Sequence, residues 1–109
     1  MIPYNKLVRD KIPEIIEATG KTCHVQVLSK EEYLHMADAK LDEELAEYHM
    51  DGNVEELADL MEVIYACANA RGVSAEALDA IRQEKAAKRG AFEKRLLLTA
   101  VYDAGEERA

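Results

Sequence analysis

Apolar residues recur at helical spacing along most of the chain, and capping residues divide this pattern into four helices. Asp10 predicts the start of a first helix of about ten residues, with Pro13 in the first turn, where proline is tolerated, and Gly20 at its end. Ser29 opens a Ser-x-x-Glu capping box, which predicts a long second helix over roughly 30–50.

Two further helices follow after short breaks. Asn53 is another capping residue and predicts a third helix over roughly 54–71, joined to the second helix by an Asp-Gly-Asn turn. Ser74 caps a fourth helix that runs to Arg89, and Gly90 is the expected stop. Because helices joined by such a short turn pack antiparallel, the pattern predicts a mainly α protein, an antiparallel bundle of about four helices.

Two segments depart from the helical period. Residues 22–28 (TCHVQVL) alternate between apolar and polar side chains, which predicts a short strand. Residues 96–102 (LLLTAVY) are apolar and are interpreted either as a second short strand or as a packed extension. The predicted fold is therefore mainly α with a small β addition, and the length of 109 residues favours a single domain over 1–109.

Helical wheels divide the second and third helices each into an apolar stripe and a neighbouring mixed stripe. The apolar stripes contain Leu34, Leu41, Leu45 and Tyr48 on the second helix and Leu57, Met61, Ile64 and Ala68 on the third. The mixed stripes contain Ala37, Lys40, Glu44, Glu47 and Asp51 on the second helix and Glu56, Asp59, Val63, Ala66 and Ala70 on the third. The remaining acids of this region, which are expected only to be solvated, are Glu43, Glu55 and Glu62.

The turn between the two helices decides which residues of the mixed stripes face each other. Counted from the turn, Glu47 lies level with Glu56 and Glu44 lies level with Asp59, with about 4.5 Å of helix rise between the two levels. Carboxylates this close raise one another's pKa, and a divalent cation removes the conflict. Hard oxygen ligands select Mg²⁺, Mn²⁺ or Ca²⁺ over zinc. The alternative is a solvated hairpin whose acids only cap helices or pair locally, for example Lys40 with Glu44.

The net charge, the cysteines, the histidines and the apolar runs restrict which binding partners and metal sites are expected. The net charge of −8 argues against sequence-independent binding of nucleic acid, which depends on neutralising phosphates. Cys23 and Cys67 show neither metal-site spacing nor a disulfide framework, so a reduced, cytoplasmic setting is expected. His24, His35 and His49 show no mutual spacing for a metal site. Apolar runs fall short of membrane-spanning length and the first residues lack a signal-peptide core, so no membrane partner is expected.

Basic residues are candidates for phosphate binding in two places. Lys85, Lys88 and Arg89 lie at the end of the fourth helix, where the first two continue the inward stripe, and they can place cations over a phosphate bound to the metal. Arg9, in the N-terminal NKLVRDK stretch, is a further candidate. The alternatives are ordinary ones: cations in the last turn of a helix suit its dipole and cover apolar neighbours, and Arg9 can form a salt bridge with a local acid.

Three blocks of sequence, in order, resemble one known family. KLDEELAEY, EELADLMEVIYA and KAAKRGAFEKRLLL resemble the all-α nucleoside-triphosphate pyrophosphohydrolases of the MazG type, and with the opening YNKLVRDKIPEII the resemblance covers about residues 4–98. The family motif is E-E-x-x-E followed by E-x-x-D on the next helix, and it matches 43–47 and 56–59 here. The opening block and the later K-x-x-K-R-G-x-F are similar to a bacterial and archaeal branch often labelled phosphoribosyl-ATP pyrophosphohydrolase-like, or house-cleaning.

The resemblance implies a function and an assembly. It implies Mg²⁺-dependent hydrolysis between the α- and β-phosphates of a nucleoside triphosphate, giving a nucleoside monophosphate and pyrophosphate, and the preference for hard oxygen ligands allows Mn²⁺ as well. It implies a helical bundle completed by a second subunit, as a homodimer or a higher homo-oligomer. The metal-binding and catalytic positions that it implies are Glu44, Glu47, Glu56 and Asp59. Two alternatives stay open, which are hydrolysis of phosphoribosyl-ATP and a non-catalytic helical module that senses a nucleotide or a metal, or dimerises.

Overall fold

Four helices make up the regular structure of the chain in a computed structural model, which describes residue 1 and residues 4–106. In chain order they are α1 (Ile12–Ala18), α2 (Lys30–Asp51), α3 (Val54–Ala70) and α4 (Ala75–Arg89). The prediction of a mainly α fold with four helices is confirmed. Within the described residues, none of the helices combines the length and the apolar character needed to cross a membrane.

The predicted caps begin α2, α3 and α4. At α2, the Ser29 hydroxyl accepts a hydrogen bond from the Glu32 N–H at 3.2 Å, and the Glu32 carboxylate accepts one from the Ser29 N–H at 3.1 Å. At α3, the Asn53 side chain accepts from the Glu56 N–H at 3.0 Å, and the Ser74 side chain has the same role at α4. Each cap pairs with a backbone N–H that the start of the helix would otherwise leave without a partner. The sequence therefore predicted these three helix starts correctly.

The first helix differs from its prediction. It contains seven residues, and Asp10 is not its cap. The backbone already turns before the helix, where the Ile12 N–H donates to the Arg9 carbonyl at 3.1 Å, and Lys11 occupies the cap position with helical angles (φ −90°, ψ −5°). A capping side chain needs an extended backbone at its own position, next to the first free N–H groups. Asp10 stands one residue too early for this role.

Neither predicted strand forms. Residues 22–28 and 96–102 contain no strand in the described part of the chain, so the predicted β addition is wrong there. Val25 and Val27 are 66% and 97% exposed, and the three leucines of 96–98 are 78–86% exposed, so the second segment is not a packed extension either. An extended segment needs a neighbouring strand to satisfy its backbone groups, and alternation in its own sequence does not supply one.

The helices α2 and α3 form an antiparallel hairpin, and α4 lies beside α3. Gly52 closes α2 with a left-handed backbone (φ +66°), and its N–H donates to the Tyr48 carbonyl at 2.8 Å. Among the described residues α4 packs against α3 and not against α2. The radius of gyration is 20.1 Å, whereas a compact domain of this length has about 13 Å. A single chain is therefore an elongated hairpin with a neighbouring helix, not a closed bundle.

The hairpin interface lies along the mixed stripes. Ala37 of α2 is fully buried and Val63 of α3 is 9% exposed, and both belong to the mixed stripes. Leu57, Met61 and Ile64 of the apolar stripe on α3 are 39%, 52% and 38% exposed. The apolar stripe of α3 is therefore only partly covered within one chain.

Candidate metal centre

The end of the hairpin next to the turn carries an acidic cluster, whose members are Glu43, Glu44, Glu47, Glu56 and Asp59. Carboxylate oxygens of Glu43, Glu44 and Glu47 lie within 4.8 Å of one another, and so do those of Glu44, Glu56 and Asp59. Glu44 belongs to both groups and stands at the centre of the cluster. The structure thus brings the four residues selected by the helical wheels together around Glu44.

Burial is uneven across the acidic cluster. Glu44 is 8% exposed, because it lies on the mixed stripe of α2 and is enclosed by α3. Glu56 and Asp59, in the first two turns of α3, are half-buried, and Glu47 is exposed. The cluster therefore has an enclosed centre at Glu44 and an open side at Glu47.

Two carboxylates of the cluster each have an oxygen atom without a partner. The Oε2 atoms of Glu44 and Glu56 are buried and accept no hydrogen bond from any residue that the structure describes. Burial, followed by the negative charge of Glu47, raises the pKa of both carboxyls. Lys40 opposes this effect on Glu44, with its Nζ 3.6 Å from Oε1, but does not cancel it. The centre of the cluster therefore carries negative charge that its own cations do not balance.

A hard divalent cation fits this set of donors. The cluster offers carboxylate oxygens, which Mg²⁺ and Mn²⁺ prefer as ligands. A cation between Glu44, Glu56 and Asp59 would give the two unpaired oxygens a partner, and its charge would oppose both the burial and the repulsion that raise the pKa values.

Three cations border the acidic cluster. Lys6 donates to Glu43 Oε1 at 3.2 Å, and Lys40 lies 3.6 Å from the same oxygen. Arg9 donates to Asp59 Oδ1 at 2.7 Å. Burial acts to raise the pKa of Glu43, but the hydrogen bond from Lys6 and the charge of Lys40 outweigh it and hold that pKa below its usual value. The expectation that Glu43 is only solvated is wrong, because its half-buried side chain forms two ion pairs.

Part of the chain is similar to a curated protein. That relative is an uncharacterized protein from Mycolicibacterium smegmatis (strain ATCC 700084 / mc(2)155), with 57% identity over 42 residues, which are 38% of this chain and 43% of that protein. The chain thus spans less than half the length of this relative. No protein-family model matches the chain, and no solved structure matches it. Function therefore has to be inferred from the geometry of the acidic cluster.

The basic residues of α4 lie apart from the acidic cluster within one chain. Lys85, Lys88 and Arg89 are exposed, and they line a shallow depression on the surface of α4. Lys88 pairs with Glu84 of its own helix at 3.1 Å. No ion pair among the described residues joins α4 to the cluster, and α4 does not pack against α2. Within one chain, the described structure therefore does not bring these cations to the acidic cluster.

Lys6 is a residue of the site that the sequence pattern does not reveal. Lys6 and Arg9 belong to a non-helical segment, and they contact acids 37 and 50 residues away along the chain. The one signal in the sequence is their shared basic stretch, which does not indicate where the segment folds. Arg9 takes up a salt bridge, the alternative to phosphate binding, but its partner is Asp59 of the cluster and not an acid nearby in sequence.

Proposed function

We propose that this chain is a Mg²⁺-dependent nucleoside-triphosphate pyrophosphohydrolase of the MazG type, which releases a nucleoside monophosphate and pyrophosphate. The observation that carries the proposal is the acidic cluster: buried Glu44, with one unpaired oxygen, has carboxylate oxygens of Glu56 and Asp59 within 4.8 Å on the facing helix. The likeness of EELAE and EELAD to the family motif adds support. The biological role that we propose is removal of non-standard nucleotides in the cytoplasm.

The four acids Glu44, Glu47, Glu56 and Asp59 would hold Mg²⁺, or Mn²⁺ in its place. When bound, the metal supplies charge neutralisation for the phosphates and a lower pKa for a water molecule. Glu47 is the exposed acid of the four and lies outside the group formed by Glu44, Glu56 and Asp59. Of the four acids it would be the one least engaged by the metal, and it is therefore the carboxylate best placed to accept a proton from the water that attacks phosphorus, while pyrophosphate leaves with the electrons of the broken P–O bond.

Cations of the chain itself complete the binding of the polyphosphate. Positive groups placed at developing negative charge stabilise the transition state of phosphoryl transfer. Arg9 already lies at the cluster, 2.7 Å from Asp59. Lys85, Lys88 and Arg89 would reach the phosphates from a second copy of the chain, since α4 is separated from α2 within one copy.

The exposed face of α3 supports such an assembly. Leu57, Met61 and Ile64 lie on one side of this helix and are 38–52% exposed. Contiguous apolar surface of this kind marks a contact site for another protein surface. We therefore propose that a second copy covers this face in a homodimer or a higher homo-oligomer.

A pyrophosphate-release assay tests the proposed activity. It uses a panel of standard and modified nucleoside triphosphates, with Mg²⁺ or with EDTA. Glu56→Gln and Asp59→Asn keep the size of the side chains, and each is expected to lower turnover by at least about 100-fold because a metal ligand is weakened. Glu62→Gln changes an exposed acid of the same helix and is expected to keep full turnover. Retained turnover in both cluster variants, or no turnover on any nucleotide, contradicts the proposal.

Two alternatives give different results in the same experiment. The exposed apolar face of α3 also suits a non-catalytic dimerisation or sensing module, which predicts a Mg²⁺-dependent rise in melting temperature without turnover on any nucleotide. A dedicated phosphoribosyl-ATP pyrophosphohydrolase predicts turnover on that substrate and not on the nucleoside triphosphates. Including phosphoribosyl-ATP in the panel separates the three functions.

A further inference from the structure

The N-terminal segment, residues 4–11, bridges the two helices of the hairpin at the acidic cluster. Lys6 contacts Glu43 on α2 at 3.2 Å, and Arg9 contacts Asp59 on α3 at 2.7 Å. The third cation at the cluster, Lys40, belongs to α2 itself. The segment therefore supplies two positive charges from outside the hairpin, one to each helix.

Two ion pairs join the N-terminal segment to the hairpin, and only Leu7 of the segment is half-buried. Tyr4 and Val8 are 70% and 36% exposed, and the segment is not helical up to its end. The side chains of Lys6 and Arg9 are 51% and 58% exposed, so water and salt compete for both ion pairs. Contacts of this kind exchange readily when another cation reaches the same carboxylates.

A metal ion at the acidic cluster would compete directly with this segment. Asp59 is the partner of Arg9 and also a member of the group with Glu44 and Glu56. A divalent cation held by that group would lie close to the Arg9 guanidinium, which is 2.7 Å from Asp59, and the two positive charges would repel each other. Several carboxylates would bind the metal together, whereas Lys6 and Arg9 each pair with a single carboxylate. The metal is therefore expected to bind the cluster more strongly than these two side chains do.

We propose that the N-terminal segment is a tethered counter-ion that divalent metal displaces, so that metal binding frees Lys6 and Arg9. This inference rests on the metal site of the proposed function. Once displaced, both side chains stay next to the cluster because the segment is joined to α1. Phosphate oxygens of the substrate can then replace the carboxylates as their partners. Lys6 thus joins Arg9 as a phosphate-binding residue, and the binding of metal prepares the binding of substrate.

A titration of the full chain with Mn²⁺, in the absence of nucleotide, tests the competition. Arg9→Gln removes one competing charge, and we expect the dissociation constant for Mn²⁺ to fall by about five-fold at low salt. Lys21→Gln removes the same charge from an exposed position between α1 and α2. This control is expected to change the constant by less than about two-fold, because its charge is screened from the cluster.

Limited proteolysis of the wild-type chain reports release of the segment directly. Trypsin cleaves after Lys6 and Arg9, and exposure of these bonds depends on how often the segment leaves the hairpin. Mg²⁺ is expected to accelerate cleavage at these two sites and to leave cleavage after Lys21 unchanged. Mass spectrometry of the fragments separates the three sites.

Each other outcome has a defined meaning. Weaker Mn²⁺ binding in Arg9→Gln shows that Arg9 supports Asp59 as a ligand, and equal binding shows that the two cations do not compete; both results overturn the inference. Absence of Mn²⁺ binding to the wild-type chain removes the metal site together with the inference. Metal-linked release without pyrophosphate production contradicts the proposed activity alone and leaves the inference standing.

Discussion

The acidic end of the hairpin and the C-terminal third of the chain differ in where their side chains find partners. At the hairpin, carboxylates from α2 and α3 converge within 4.8 Å, and Arg9 joins them from a distant segment. In the C-terminal third, Lys85, Lys88 and Arg89 are exposed, and Phe92 is 96% exposed. One short turn fixes the register of the hairpin, whereas these side chains of the C-terminal third stay exposed within one chain. The proposed site thus divides into a metal-binding half within one chain and a phosphate-binding half that depends on assembly.

The largest expected effect comes from removing the phosphate-binding half. The triple change Lys85→Gln, Lys88→Gln and Arg89→Gln is expected to lower kcat/KM for nucleoside triphosphates by about 100-fold, because charge on the phosphates loses its partners. The rise in melting temperature with Mg²⁺ is expected to persist, since the acidic cluster is untouched. Lys94→Gln, at an exposed position outside α4, is the control and is expected to keep kcat/KM. If Mg²⁺ no longer raises the melting temperature of the triple variant, the metal-binding and phosphate-binding halves of the site are not independent.

Mixing two inactive variants shows whether the halves come from different copies. Glu56→Gln disables the metal-binding acidic cluster, and the triple variant disables the phosphate-binding residues of α4. If α4 acts on the partner's cluster, a mixed dimer contains one intact site, and an equal mixture recovers about a quarter of the wild-type turnover. If α4 acts on its own cluster, the mixture stays as inactive as its components. Turnover of the mixture, measured after co-refolding, decides between these arrangements.

A change on the exposed face of α3 tests the assembly itself. Met61→Glu places a charge in the proposed contact, where Met61 is 52% exposed in one chain. We expect a monomer, because burying an unpaired charge costs several kcal/mol, and light scattering coupled to size exclusion measures the mass. Turnover should fall with the loss of the dimer while Mg²⁺ still raises the melting temperature. Glu62→Gln is the neighbouring control, and an oligomer that survives Met61→Glu would place the contact elsewhere.

The same contrast explains how much of the molecule is readable from its sequence. Ser29 and Asn53 marked helix starts correctly because a cap depends on residues within one turn, and the facing of Glu44 and Asp59 follows from helical period and distance to the turn. The contacts of Lys6 and Arg9 were not predictable, because they join segments far apart in sequence. The two strand predictions were wrong for the same reason. The pattern of a segment shows which side chains share a face, but it does not show whether a neighbouring strand is present to pair with its backbone.

Replacing Glu44 by Gln is expected to stabilise the metal-free chain and remove its response to metal. Burial and the charge of Glu47 raise the pKa of the Glu44 carboxyl, so keeping it ionised costs folding free energy at neutral pH. We expect Glu44→Gln in EDTA to melt at a higher temperature than the wild type. Mg²⁺ is then expected to leave its melting temperature unchanged.

The higher melting temperature expected for Glu44→Gln should depend on pH in one direction. Because the pKa is raised in the folded state, the penalty is absent below the pKa of the unfolded carboxyl and complete above that of the folded one. The difference between the two proteins should therefore shrink towards zero as the pH falls to about 4. Circular dichroism melts in EDTA measure this difference, with Glu62→Gln, which changes an exposed acid of α3, as the control. A difference that does not change with pH would show that ionisation of Glu44 is not its source.

Two matched helix caps, one in each of the contrasted regions, test how strongly each region depends on its own helix. Asn53→Ala removes the cap of α3 and Ser74→Ala that of α4, where the side chains accept backbone hydrogen bonds at 3.0 and 3.1 Å. Each loss costs about 1 kcal/mol locally. Asn53→Ala should lower the melting temperature by about 4–8 °C, since the whole hairpin depends on α3. Ser74→Ala should lower it by less than about 2 °C and mainly speed hydrogen exchange in α4, which packs against α3 and no other helix in the described part of the chain. Equal shifts would mean that α4 unfolds together with the hairpin, and hence that assembly in solution gives it partners that one chain lacks.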